Sequence, residues 1–136
     1  MTQEDKDLLL KDLCARLPYG VICHYDTIVP MVGKVKSYGR LYNISFFDVK
    51  PCFQFHCNRD IFDFDNVKPY LFPLSSMSEE KIEELLDIVI PTNNGSGVIE
   101  ESNIGKYMDW CYKNHFDYIG LIEKGLAIDA TGLNIY

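Results

Sequence analysis

WCYKNHFDYIGLIEKGLAID, residues 110–129, decides how this chain closes. It contains the only tryptophan and a dense run of aromatic residues. It begins as the end of a helix, breaks at His115–Tyr118, and continues into apolar segments at 118–122 and 126–128. Glu123-Lys124-Gly125 between those segments reads as a tight turn, so the pair predicts a closing hairpin. Asn114 suits the left-handed position that ends a helix. The polar residues of the break, Asn114, His115 and Asp117, lie beside Trp110 and form the first candidate site, because loops at element ends commonly carry function. The favoured reading is that Asn114 and Asp117 cap and turn the chain while Phe116 and Tyr118 pack.

Upstream, the apolar positions Ile104, Tyr107, Met108 and Cys111 predict a helix over about 102–114. Before it, PTNNGSGVIEESN at 91–103 reads as a surface loop or lid. Ser78 caps a helix over 79–89, with Ile82, Leu85, Leu86 and Val89 inward and Glu80, Glu83, Glu84 and Asp87 outward. Residues 21–72 are β-rich: VICHY, IVPMVGKV, RLYNISFF, CFQFHC and VKPYLF, with turn signals at Asp26-Thr27, Ser37-Tyr38-Gly39, Lys50-Pro51, Asn58-Arg59-Asp60 and Asp65-Asn66. In CFQFHC the alternation sends Phe53 and Phe55 inward and Gln54 and His56 outward. An N-terminal helix over 3–17, capped by Thr2, carries the stripe Leu9, Leu10, Leu13, Cys14 and Leu17 and stops at Pro18. The expectation is one α+β domain over 1–136: an N-terminal helix, a small antiparallel sheet or SH3-like barrel, two further helices and a closing C-terminal hairpin.

The 136 residues, beginning with Met, suggest a complete small protein with enough chain for its own core. No apolar run is long enough to span a bilayer, and the acidic start MTQEDKDLLLKDL is no export signal, so the cytosol is expected. Residues 1–77 balance nine acids with nine Lys/Arg, whereas residues 78–136 carry eleven acids and four Lys, the whole net charge of −7. Such a second half disfavours direct nucleic-acid binding and suits a basic protein partner.

Zinc chemistry would need four converging Cys/His ligands. Cys23, His24, Cys52, His56 and Cys57 share the β region, but no close ligand pair is spaced for it, and an alternating strand points His56 and Cys57 to opposite faces. No metal and no cofactor are expected. Cys111 and His115, four apart, would face each other on a continued helix as a hydrolase pair, with no third orienting group evident. Asn93-Asn94-Gly95-Ser96-Gly97 lacks the Lys-Ser/Thr of a phosphate loop. Tyr25, Tyr38, Tyr42, Phe46, Phe53, Phe55 and Trp110 could stack a nucleotide-like ligand, with Arg40 or Lys106 holding its phosphate.

LLLKDLCARLPYGV at 8–21, VKPYLFPLSSMSEE at 67–80 and NHFDYIGLIEKGLAIDA at 114–130 resemble short uncharacterised proteins of prophages, phages and mobile elements of gut Bacteroidales. The resemblance covers about a third of the chain and implies a mobile-element origin; it brings no activity and no site residue. Relatives of that pattern carry Arg where this chain has Phe72 and Ile119. The leading expectation is a non-enzymatic accessory protein that binds a host component, such as an inhibitor of host defence. The alternatives are a binder that sequesters a nucleotide-like signal and the Cys111/His115 hydrolase. The apolar strands leave room for a homodimer.

Overall fold

Thr2 opens the first helix. Its Oγ1 accepts the Asp5 N–H at 3.1 Å, and Asp5 Oδ2 accepts the Thr2 N–H at 3.3 Å, satisfying two donors that a helix start leaves open. Helix α1 (Gln3–Arg16) passes into a 3-10 turn at Leu17–Tyr19, where Gly20 at φ 68° reverses the chain. The computed structural model describes residues 1–56, 59–61, 67–90 and 101–136, with 59–61 and 101–102 described by backbone alone. Cys57, the Asp65-Asn66 signal, Asn93–Gly97 and most of the 91–103 loop lie outside the described residues, as does part of the Asn58-Arg59-Asp60 signal.

The fold is α+β, as the sequence predicts. Five strands, β1 (Ile22–Val29), β2 (Gly33–Phe47), β3 (Lys50–Phe55), β4 (Arg59–Ile61) and β5 (Val67–Pro73), pair antiparallel in the order β4-β3-β2-β1-β5. Two short strands then pair with β5 in parallel: β6 (Phe116–Asp117) on Phe72–Pro73 and β7 (Ile128–Asp129) on Tyr70–Leu71. Among the described residues the end strands β4 and β6 do not pair with each other, so the sheet is open rather than a closed SH3-like barrel. A parallel return needs a long crossover, and helices α2 (Glu79–Val89) and α3 (Glu101–Lys113) provide it between β5 and β6. Contacts from Asn103 to Val89 and from Trp110 to Glu84 show that these helices run antiparallel.

Three turn signals resolve differently. Asp26-Thr27 continues β1, because Asp26 meets Lys34 at 3.2 Å and His24 at 3.3 Å across and along the strands. The chain reverses instead at 30–32, with Val32 N–H bonding Val29 O at 3.1 Å and Met31 at φ 69°. Ser37-Tyr38-Gly39 lies inside β2, where all three pair with β1. The Lys50-Pro51 signal is displaced to Asp48-Val49, with Asp48 at φ 56°. A bulge between Leu41 and Asn43 also changes the face of β2. Leu41 is buried before it and Ile44 packs on the core after it, so the simple alternation does not hold.

The core lies between α1 and the sheet. Leu9 and Leu13 meet Val21, Cys23, Tyr25, Leu41, Phe53 and Phe55, and Leu121 and Leu126 close over them. The α1 stripe is rotated from the expected one: Cys14 is exposed, and Asp12 and Arg16 are buried beside Leu9 and Leu13. A second cluster, Trp110, Cys111 and Phe116 with Leu85, Ile88 and Phe72, joins the helix pair to β5 and β6.

The expected hairpin over 118–128 is replaced by consecutive turns. Asp117 accepts the N–H groups of Gly120, Leu121 and Ile122 at 3.0, 2.9 and 2.8 Å. A carboxylate that takes three successive backbone donors removes them from any strand ladder. Ile128–Asp129 therefore pairs with β5 instead of folding back on 118–122.

Candidate functional site

The break after α3 is built into the fold by nearly every polar group it has. Trp110 is buried, stacks on Phe116 with centroids 5.3 Å apart and planes 4° apart, and donates Nε1–H to Glu84 at 3.0 Å. That bond, ahead of the nearby Lys81, holds the Glu84 carboxyl below its ordinary pKa. Asn114 donates Nδ2–H to Trp110 O at 2.9 Å and accepts Lys81 Nζ at 2.8 Å. His115, not Asn114, takes the left-handed position, at φ 63°. Its ring lies on Tyr136 with centroids 3.6 Å apart, and the Tyr136 hydroxyl donates to Tyr70 O at 2.8 Å while accepting the Ile22 N–H at 2.9 Å. Asp117 is occupied by its three backbone donors.

Burial, and then the charges of Arg16 and Arg40, lower the His115 pKa to about 4. Its Nδ1 is buried and has no hydrogen-bond partner among the described residues. The folded protein therefore holds fewer His115 protons than the unfolded chain between about pH 6.5 and 4. This contribution to stability is full above pH 6.5 and is lost as pH falls toward 4. Discounted for the exposed part of the ring, it amounts to about 2 kcal/mol. Urea midpoints measured down this range should fall, and His115→Asn, which tolerates the backbone, should flatten that part of the profile.

Pattern reading missed the most buried polar group. Arg16 is fully buried on α1, its Nε 2.7 Å from Asp12 Oδ2. Its two other nitrogens donate to Phe116 O at 2.7 Å and Cys111 O at 3.4 Å, and its guanidinium lies 5.2 Å from the Tyr112 ring centroid. Tyr112 and Tyr118 share a 2.7 Å hydroxyl bond nearby. Burial raises the Asp12 pKa against the opposing pull of Arg16. The signal was present: Leu9, Asp12, Leu13 and Arg16 follow the spacing of one helix face, and a charged pair on that face is one that must be satisfied inside.

Two shallow depressions share Tyr19. One, about 400 Å³, is lined by Tyr19, Gly20, Arg40, Tyr42 and His56. The other, about 260 Å³, contains Lys106 with Lys113, Asp109, Glu84 and Trp110. Arg40 and Lys106, both candidate phosphate holders, thus lie in adjacent depressions; Lys106 and Lys113 are offset there by two acids. A third depression, about 320 Å³, adjoins Asp117, Tyr118 and Pro73. Of the expected stacking residues, Tyr25 and Phe55 stack in the core at 4.4 Å and Phe53 is buried, while Tyr38, Tyr42 and Phe46 reach the surface.

Among the described residues, the Cys/His sets do not assemble. Cys23 and Cys52 are buried on strands separated by β2, His24 faces Asp26, and His56 lies against Tyr42. No cluster of three or more His, Cys, Asp or Glu that could hold a metal occurs among the described residues. Burial pushes the Cys111 thiol above its ordinary pKa, opposite to what an attacking thiolate needs. His115 leaves the helix face and stacks on Tyr136, so the continued helix that would pair it with Cys111 does not form.

Helix α2 presents a different kind of surface. Ile82 and Leu86, expected inside, are 43% and 44% exposed, while Leu85, Ile88 and Val89 make the inner contacts. Beside that apolar pair, Glu79, Glu83 and Asp87 form a parallel exposed row one turn apart. The β1–β2 hairpin tip is also apolar and exposed, at Ile28, Met31 and Val32. Among the described residues, no helix is long and apolar enough to cross a membrane. No protein-family model matches the chain, and it matches neither a curated protein nor a solved structure.

Proposed function

We propose that this chain is a non-enzymatic binding protein, carried by a phage or mobile element, that occupies a basic surface of a host protein in the bacterial cytosol. The observation that carries this reading is the outer face of α2, where Ile82 and Leu86 remain exposed beside Glu79, Glu83 and Asp87. An apolar centre with a charged rim is how protein interfaces are built: the centre supplies burial, and the rim supplies steering and choice of partner. Five acids within residues 79–87, against Lys81 alone, favour a positively charged partner. The polar groups at the end of α3 are spent on the fold, and the Cys111 thiol is held protonated. These features favour a surface over a reaction centre.

The test is affinity capture from gut Bacteroidales lysate with two paired variants. Ile82→Ala with Leu86→Ala should reduce recovery of the partner about tenfold or more, as truncation of central apolar contacts does. Recovery of the partner by the unaltered chain should fall as salt rises, and Glu83→Lys with Asp87→Lys should abolish it. Unchanged recovery with both variants would refute the assignment to α2.

A further inference from the structure

We infer that the depression between the 3-10 turn and the β2–β3 arm binds a phosphorylated planar-ring ligand of the nucleotide class, with Arg40 on the phosphate and Tyr42, His56 and Tyr19 around the ring. Three observations converge there. Arg40 is exposed, and among the described residues no acid lies within ion-pair distance of it, in a protein whose net charge is −7. It occupies the point on β2 where the two hairpin arms part: Ile22 pairs with it from β1, and His56 N–H bonds its carbonyl at 3.1 Å. The fold leaves space for its side chain through Gly20, where a Cβ would stand 3.2 Å from Arg40 Cδ and Nε. Among the described residues the guanidinium is thus unpaired, and its planar fork suits phosphate oxygens.

The surrounding groups suit a ring. Tyr42 and His56 are both exposed and lie against each other, with centroids 5.0 Å apart and planes tilted by 43°, so together they offer one accessible aromatic surface. Tyr19, 38% exposed, forms the opposite wall. A base can stack on that surface without a hydrogen-bond code, while the phosphate fixes its orientation. The volume, about 400 Å³, fits a mononucleotide-sized ligand. This site is independent of the α2 surface, and loss of either leaves the other standing.

The test is a ¹H–¹⁵N titration of the full chain with adenosine monophosphate, adenosine and inorganic phosphate at millimolar concentrations. The monophosphate should shift the amides of residues 19–20, 40–42 and 56, and should bind more tightly than either fragment. Arg40→Gln should weaken it about tenfold or more, the usual consequence of losing a charge-assisted pair, with the remaining spectrum unchanged. Arg40→Lys, which keeps the charge and loses the fork, should fall between the two. Equal binding of inorganic phosphate would overturn the ring contact. Shifts elsewhere, no shifts, or indifference to Arg40→Gln would overturn the site.

Discussion

Replacing Arg16 with alanine should destabilise the fold by about 3–5 kcal/mol in urea unfolding. The residue is fully buried, and its removal leaves Asp12 charged without a partner, with the carbonyls of Phe116 and Cys111 losing a donor. Asp12 already titrates above its ordinary value because it is buried, with Arg16 pulling the other way. Without Arg16 that rise grows. A carboxyl whose folded pKa is raised stabilises below its unfolded pKa and loses that contribution as pH rises. The deficit of Arg16→Ala should therefore be larger at pH 8 than at pH 4, where Asp12 can take up a proton. Asp12→Leu with Arg16→Met removes both charges and should keep more stability than Arg16→Ala alone, because no charge is then left unpaired.

Asp117→Ala should cost about 2–4 kcal/mol, the loss of charge-assisted bonds to backbone donors that become unsatisfied. The three N–H groups at 120–122 are involved, and that of Leu121 is buried. Their hydrogen exchange should accelerate before the rest of the sheet opens. Asp117→Asn should cost less. One oxygen can still take Gly120 and Leu121, but the amide then faces the Ile122 donor.

Both residues show where sequence reading reaches its limit. The helices were legible because their signals are local. Ser78 accepts the Lys81 N–H at 3.3 Å as a cap, and α2 spans Glu79–Val89 as its period predicts. The place of Arg16 on the Leu9–Leu13 face was legible, but its carbonyl partners were not, because they lie 95 and 100 residues further along the chain. The strands were legible as strands but not at their turns. Asp26 has turn propensity, yet its position opposite Lys36 and close to Lys34 keeps it in β1. The C-terminal segment reads as a hairpin from two apolar segments joined by Glu123-Lys124-Gly125, and the side chain of Asp117 overrides that pattern.

The same contrast applies to the candidate site. Trp110, Asn114, His115 and Asp117 were recognisable as a cluster of chemistry-bearing types, and the structure brings them to one break. Trp110, Asn114 and Asp117 are held there by bonds within the fold, and His115 by its stack on Tyr136. Arg40 and Lys106 fall in adjacent depressions divided by Tyr19, a proximity that sequence separation concealed. The acidity of the second half was visible from composition. That Ile82 and Leu86 would stay exposed beside it was not, since their period matches an ordinary buried face.

If α2 is the contact surface, a photo-crosslinking amino acid placed at Leu86 in living host cells should capture the partner. The expected result is one discrete adduct with a basic host protein, lost when Glu83 and Asp87 are replaced by lysine. Adducts at Met31 on the hairpin tip and none at Leu86 would contradict it.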